Sequence, residues 1–241
     1  MIKEALMYIV GLGEATEHFI HGDTYSDKPL HRIDPYYPKA NAIEMNTLTS
    51  LVDYIKANVD SMADKMIIHV VKPDEVHFYS KLDENRDRET IAIVKAQVPS
   101  FTYGSFIDHE KFCINVQAKF ISDPSTDKDL LLKFAGTVEA GSVAEYGDDG
   151  VTQKATVRQG IASKTEAVVP NPVNLKPFRT FVEVPQPASD FIFRMNQSKY
   201  DGIECALFEA DGGAWKNEAM KNIKDYLTLE LDGIDSITII S

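Results

Sequence analysis

The sequence predicts an α+β fold in which a largely antiparallel sheet is flanked by several short helices. Two observations predict this class. Apolar residues recur every three or four positions in some segments, as in amphipathic helices, whereas elsewhere they form short runs bounded by glycine and proline, as in strands. These segments do not follow a regular strand–helix alternation, so a parallel α/β sheet is not expected.

Length and composition predict an ordinary globular chain. Its 241 residues are enough to bury a large core, and 44% hydrophobic with 26% charged residues argues against disorder. We expect a single domain over residues 1–241. The only candidate for a sub-domain break is the segment 121–127.

Five segments have helical spacing of apolar residues. The first is amphipathic, and Asn46 or Thr47 is suited to cap the second. Asp127 is suited to cap the fourth, and Gly233 to end the last. The predicted helices cover residues 2–12, 47–58, 108–120, 127–139 and from about 214 to near 233.

Strands are predicted in the remaining apolar segments. Gly22 supplies the turn of a first hairpin, and residues 72–75 supply the turn of a second. A proline-containing connector at 27–42 separates the first hairpin from the second helix. The predicted strands are 17–20, 24–26, 66–71, 76–82, 90–98, 151–162, 165–169, 178–184, 191–195, 203–209 and 236–240.

Charge and cysteine content restrict the function classes. The formal net charge is −12 and the basic residues are scattered, so duplex DNA is not expected as a partner. Cys113 and Cys205 both lie in apolar patterns, which favours buried free thiols over a disulfide. No apolar run is long enough to span a bilayer, and the first residues do not resemble a signal peptide. We therefore expect a cytoplasmic protein without a membrane partner.

No catalytic residue and no cofactor is assigned, because nucleophile-elbow and phosphate-loop motifs are both missing from the sequence. His69 and His77 lie on the two arms of the second hairpin and are weak metal-site candidates. Two ordinary sheet histidines are the favoured interpretation. The run Asp108-His109-Glu110 resembles acid–base or metal chemistry, but acids at a helix start explain it more simply.

Arginines beside aromatic residues are the remaining candidates for a binding site. Arg179 lies between Phe178 and Phe181, and Arg194 follows Phe193, a combination that can stack on bases. Arg158, Arg179 and Arg194 are therefore weak ligand-binding candidates. The simpler alternative is core packing with an exposed arginine.

Several stretches between residues 165 and 227 are distinctive in combination. They are Glu166-Ala167-Val168-Val169-Pro170-Asn171-Pro172-Val173, Pro177-Phe178-Arg179-Thr180-Phe181, Phe191-Ile192-Phe193-Arg194-Met195 and Ala206-Leu207-Phe208-Glu209-Ala210-Asp211-Gly212-Gly213-Ala214-Trp215-Lys216. This part of the chain resembles the YfdQ-like family of uncharacterised phage and prophage proteins. Residues 47–58 and 106–112 are similar to its earlier part, so the resemblance covers most of 45–231. It implies a bacteriophage or prophage origin, the bacterial host cytoplasm and a binding partner, but no activity.

Three functions remain open. The first is a non-catalytic phage or prophage accessory protein that acts by binding, or as a homo-oligomer that covers its strand edges. Its partner is then a further copy, a phage or host protein, or a nucleotide. The alternative is a binder of nucleotides or single-stranded DNA that supports phage recombination or counter-defence. A metal-dependent enzyme that uses His69, His77 or residues 108–110 is the third.

Overall fold

A computed structural model of the chain describes residues 2–13, 15–20, 23–26, 39–62, 65–83, 86–145, 153–158, 164–198 and 202–241. The chain divides into two compact units, Met1–Lys39 and Ala40–Ser241. Whether the chain is a single domain, as expected, stays a prediction.

The smaller unit contains one helix and one hairpin. Helix α1 covers Ile2–Gly11, and strand β1 (Glu17–Ile20) pairs antiparallel with β2 (Asp23–Ser26). Ile20 lies opposite Asp23. Both predicted elements are confirmed. The predicted turn glycine Gly22 and residues 27–38 of the connector lie outside the described residues.

The larger unit contains four further helices and twelve further strands in its described residues. The helices are α2 (Leu48–Ala57), α3 (His109–Lys119), α4 (Lys128–Thr137) and α5 (Ala214–Glu230). The strands are β3 (Ile43–Met45), β4 (Met66–Lys72), β5 (Glu75–Ser80), β6 (Thr90–Lys95), β7 (Ile107–Asp108), β8 (Val138–Glu145), β9 (Gln153–Arg158), β10 (Lys164–Val168), β11 (Val173–Leu175), β12 (Ser189–Ser198), β13 (Gly202–Glu209) and β14 (Ile237–Ile240).

A five-stranded mixed sheet has the order β14-β4-β5-β6-β3. The three inner strands are antiparallel, whereas each edge strand is parallel to its neighbour. Alternate residues of β4 are buried, and α2 and α5 contribute to the same core. Thr47 caps α2 by accepting a hydrogen bond from the Ser50 amide at 3.1 Å, as the sequence predicts. The core therefore lies between this sheet and the two helices.

A second core forms around the four-stranded antiparallel sheet β11-β12-β13-β7. Phe191, Phe193 and Met195 alternate along β12 with more exposed residues, so they line one face. Phe112 from α3 stacks on Phe193 at 5.5 Å between ring centroids, and Phe134 from α4 meets Phe193 edge-on at 6.4 Å. The helices on both sides of the segment 121–127 therefore share one core.

A three-stranded sheet, β10-β9-β8, contacts β12 and β13 through β8. The buried side chain of Gln153 joins it to β12, because its amide nitrogen donates to the Met195 carbonyl and its oxygen accepts from the Met195 N–H. The side-chain amide of Gln153 thus forms the two hydrogen bonds with Met195 that the backbone of a neighbouring strand would otherwise form.

The predicted α+β class is confirmed. The strand predicted at 178–184 is wrong, because this segment is an irregular loop. Its amides at Arg179 and Thr180 donate to the side chain of Gln186 rather than to a neighbouring strand. The sequence also did not predict the short strands β3, β7 and β11, or β8, which begins inside the helix predicted over 127–139.

Candidate functional site

A cavity of about 460 Å³ opens in the larger unit where five segments meet. They are the β4–β5 turn, residues 98–103, the end of α3, residues 177–179 and the start of α5. The cavity volume lies within the roughly 300–1,000 Å³ typical of small-molecule sites. The turn and α5 belong to the five-stranded sheet and its helices, whereas α3 packs on the four-stranded sheet.

The cavity combines positive charge with aromatic rings. Asp74 is the only acidic residue among those that line it. Such a concentration of cations contrasts with the net charge of −12 of the whole chain. The basic lining residues are Lys72, Lys119, Arg179 and Lys216, and the aromatic ones are Phe101, Tyr103, Phe178 and Trp215.

Arg179 forms the fixed cation of the cavity. Its residue surface is 8% exposed, and its guanidinium carbon lies 3.9 Å from the centroid of the Trp215 ring. Nη1 donates to the Glu209 carboxylate at 2.9 Å, and Nη2 donates to the Ser189 hydroxyl. Burial lowers the pKa of Arg179, but an arginine remains charged at neutral pH.

Asp211 orders the start of α5 beside this cation. Its carboxylate accepts hydrogen bonds from the Gly213 N–H at 2.9 Å, the Ser189 hydroxyl at 2.7 Å and the Trp215 N–H at 3.4 Å. Gly213 has a φ of 83°, a conformation that favours glycine. The first amides of α5 are therefore already used, and the helix presents side chains to the cavity.

Three buried hydrogen-bond donors at the cavity have no partner. Among the described residues, the Tyr103 hydroxyl, Arg179 Nε and Trp215 Nε1 are buried polar atoms without a hydrogen bond. Burial raises the pKa of Tyr103, so its hydroxyl keeps its proton. Each unmade bond costs about 1–3 kcal/mol. Such groups call for an explanation, and the capacity to bind an acceptor from outside the protein is one.

Three lining residues are lysines that are more exposed than Arg179, and we call their side of the cavity its mouth. Lys72 is exposed and pairs with Glu75 at 2.8 Å, whereas Lys119 donates to the Ser100 carbonyl at 2.6 Å. The Lys216 ammonium lies 5.9 Å from the centroid of the Trp215 ring. These cations are more open to solvent than Arg179 and can turn towards an anion.

The loop that carries Arg179 is held by one side chain. Gln186 accepts from the N–H of Arg179 and of Thr180, at 2.9 and 3.1 Å, and donates to the Phe181 carbonyl at 2.8 Å. The Thr180 hydroxyl also donates to the carbonyl of Pro73 in the β4–β5 turn. Two walls of the cavity are thereby joined.

The three predicted arginines occupy different places. Arg179 lines the cavity. Arg194 lies between buried Phe193 and Met195 on β12. Because side chains alternate along a strand, its side chain lies on the face of β12 opposite to theirs. Arg158 pairs with Lys164 across β9 and β10, and its side chain lies outside the description. Arg194 and Arg179 therefore do not line the same cavity.

Sequence reasoning missed most of the other lining residues. It singled out Phe178 beside Arg179, but not Tyr103, Trp215 or the three lysines as binding residues. Its usable signal was the adjacency of Trp215 and Lys216 after a glycine pair. The remaining residues come from separate segments, and no local pattern links them.

His69 and His77 lie directly opposite each other on β4 and β5, as the hairpin predicts. The two ring nitrogens of His77 are engaged, with the Tyr79 hydroxyl and the Glu75 carboxylate, both at 2.7 Å. Within the described part of the chain, no group of three or more histidine, cysteine, aspartate or glutamate residues is placed to hold a metal ion.

Residues 108–110 lie at the start of α3. Asp108 caps the helix by accepting from the Lys111 N–H at 3.1 Å, and His109 Nε2 donates to the Ala135 carbonyl at 2.7 Å. The helix-start interpretation is confirmed for Asp108. Burial raises the pKa of the nearby Cys113 thiol, which disfavours the thiolate that a nucleophile needs.

Comparisons of the chain with models of protein families, with curated proteins and with solved structures found no match. The YfdQ-like family therefore stays a prediction. Among the described residues, no helix has both the length and the apolar character that a membrane span requires.

Proposed function

We propose that this protein is a non-catalytic binding protein and that its ligand is a nucleotide held in the cavity. The observation that carries the proposal is the group of three buried donors without partners beside aromatic rings and lysines. A nucleotide supplies hydrogen-bond acceptors, a flat base and a phosphate to these three kinds of groups. A cavity of about 460 Å³ has the volume of a small-molecule site and favours a mononucleotide over an extended single strand, which needs a groove.

The role in the cell is a second part of the proposal. We infer a phage or prophage accessory protein in the bacterial host cytoplasm, and this rests on the resemblance of residues 45–231 alone. Nucleotide binding is compatible with support of recombination and with counter-defence, the two roles expected from the sequence.

Isothermal titration with mononucleotides at low salt tests binding. We expect Kd values that rise with salt concentration, because the lysines at the mouth attract the phosphate. Lys216→Gln is expected to weaken binding about threefold to tenfold, whereas Lys221→Gln, an exposed lysine farther along α5, leaves it unchanged. Absence of heat with every mononucleotide would contradict the proposal. Tighter binding of single-stranded oligonucleotides would identify a strand binder instead.

A homo-oligomer is the second candidate function, and α1 favours it. None of its residues is buried, although Leu6 and Ile9 are large and apolar, with exposed fractions of 56% and 63%. Exposed apolar clusters on soluble proteins commonly mark interaction surfaces.

Multi-angle light scattering tests self-assembly in the full chain. We expect a multimer that Ile9→Glu dissociates, because a charge would be buried at the interface. Leu229→Glu, the same kind of change at a residue of α5 that is 74% exposed, is the matched control and should leave the mass unchanged. A monomer at all concentrations would exclude this candidate.

A further inference from the structure

We propose that the cavity selects guanine nucleotides, by binding the O6 and N7 acceptors of the base at its three buried donors. This inference rests on the proposed nucleotide binding and adds the identity of the base. It follows from the chemistry of the donors and from the distribution of charge between the floor and the mouth of the cavity.

We call the part of the cavity lined by Tyr103, Arg179 and Trp215 its floor, and the buried polar atoms of these three residues are hydrogen-bond donors. Trp215 Nε1 and Arg179 Nε can only donate, and the Tyr103 hydroxyl donates when it meets an acceptor. Guanine carries two adjacent acceptors, O6 and N7, on one edge, whereas adenine and cytosine place an amino donor on the corresponding edge. An amino group there would face donors and leave them unpaired. Uracil and thymine carry one acceptor, O4, on this edge and no amino group. Guanine, with two adjacent acceptors, is therefore the common base whose edge best matches this floor.

Charge places the phosphate at the mouth and the base at the floor. At the floor, Arg179 is neutralised by Glu209 at 2.9 Å, and Asp211 adds a further negative charge through Ser189. Neither carboxylate lines the cavity, but both lie beside the guanidinium and reduce its attraction for a phosphate. At the mouth, three lysines and one acidic residue, Asp74, line the cavity, and Lys72 also pairs with Glu75 outside it. Neutral acceptors thus suit the floor, and an anion suits the mouth.

The rings around the donors suit a flat base. Tyr103 stacks on Phe191 with 5.5 Å between centroids and contacts Phe101 at 4.8 Å. Arg179 lies over Trp215 and is 5.6 Å from the Phe191 centroid, so the donors are held by one aromatic cluster. Because the three donor atoms have almost no surface accessible to solvent, a base reaches them only when the side chains around them rotate, a common change at binding sites.

Isothermal titration with a set of related nucleotides tests the assignment. GMP and IMP both carry O6 and N7, whereas 7-deaza-GMP lacks N7 and AMP replaces O6 with an amino group. We expect GMP and IMP to bind about 10-fold more tightly than AMP and 7-deaza-GMP, within the range of one bidentate base contact. CMP and inorganic phosphate should bind more weakly still.

Conservative substitutions test which side chains donate hydrogen bonds to the base. Trp215→Phe and Tyr103→Phe keep the rings and remove one donor each, and they should reduce the preference for GMP over AMP severalfold. Arg179→Lys should do the same, and thermal unfolding checks that each variant is folded. Lys216→Gln is the matched control, because it should weaken GMP and AMP equally.

The outcomes separate this inference from the proposed function. Equal binding of all nucleotides would overturn guanine selection and leave nucleotide binding intact. Phosphate binding as tightly as GMP would place the anion at the floor and also overturn it. Binding of no nucleotide would overturn both proposals.

Discussion

Lys128 shows how a single buried charge can be satisfied by carbonyl groups. The residue is 5% exposed, and its ammonium donates to the carbonyls of Gln117 and Phe120 and to the Ser122 hydroxyl. The last carbonyls of a helix have no partner within it, so this lysine of α4 completes the end of α3. Burial lowers the pKa of Lys128, which is the cost of this arrangement.

Lys128→Met is expected to lower the free energy of unfolding by about 2–4 kcal/mol, because buried carbonyls lose charge-assisted hydrogen bonds. Chemical denaturation measures the change. Lys133→Met, at an exposed position of the same helix, is the control and should change it by less than about 0.5 kcal/mol. Equal effects of the two substitutions would contradict the assigned role.

Residues that act through local rules were predictable from the sequence. Thr47 was predicted as a cap from its place before apolar helical periodicity, and it caps α2. Asp127, predicted as the cap of α4, lies at the cap position but makes no capping hydrogen bond, and its carboxylate accepts from the Asn174 N–H. Asp108, expected as an acid at a helix start, caps α3. Arg179 was chosen for its aromatic neighbours in sequence. Its partners Glu209 and Trp215 lie about 30 positions or more away, so its burial could not be inferred.

At the scale of elements, the loop between β11 and β12 departs most from the sequence prediction. Apolar residues between Pro177 and Pro185 look like a strand, but the Gln186 amide binds the backbone groups that a neighbouring strand would use. A side chain that replaces a strand has no periodic signature. The strand prediction failed for this reason.

Gln186→Leu is expected to lower the free energy of unfolding by about 2–4 kcal/mol, because two buried N–H groups and one carbonyl lose their partner. It should also weaken nucleotide binding, since the loop carries Arg179. Gln117→Leu, on the exposed face of α3, is the control and should affect neither quantity. Denaturation and titration measure the two effects, and a neutral Gln186→Leu variant would contradict the role of this side chain.

At the scale of the whole molecule, paired carboxylates set the response to acid. Hydrogen bonds from Lys72 and His77 lower the pKa of Glu75 to about 2, and Lys176 and Ser125 lower the pKa of Asp123. A carboxyl group with a lowered pKa in the folded state contributes stability above its unfolded pKa, and the contribution is lost as pH falls to the folded pKa. Stability should therefore fall between about pH 4.5 and 2.

Glu75→Gln is expected to flatten this loss, because the variant has no carboxyl group to protonate at that position. The free energy of unfolding measured at a series of pH values tests it. Glu218→Gln, at an exposed position of α5, should keep the slope of the unmodified protein. A variant profile as steep as that of the control would refute the contribution of Glu75.

The two cores of the larger unit should unfold together. Val173, Leu175 and Phe191 belong to one core, whereas Phe181 and Val184, between them in the chain, belong to the other. Trp215, the only tryptophan, reports on the cavity, and circular dichroism reports on all elements. We expect coincident urea transitions. Two separate transitions would indicate independent cores and contradict the single-domain prediction.

The fold class and most helices were predictable, because each depends on a local repeat of apolar residues. The cavity was not, because its lining residues come from separate segments, among them Lys72, Tyr103, Lys119, Arg179 and Trp215. Only the tertiary arrangement brings them together. The parallel pairing of the two edge strands was missed for the same reason, since their partners are distant in the chain, although β14 itself was predicted as a strand.

The parallel pairing of β14 with β4 also bears on kinetics. Ile237 lies beside Met66, so about 170 intervening residues must be spanned before this edge of the sheet can close. Loop closure of that length is entropically costly before any contact compensates for it, and such topologies refold in milliseconds to seconds rather than microseconds. While the β4 edge is exposed, a second unfolded chain can pair with it, so refolding yield should decline as protein concentration rises.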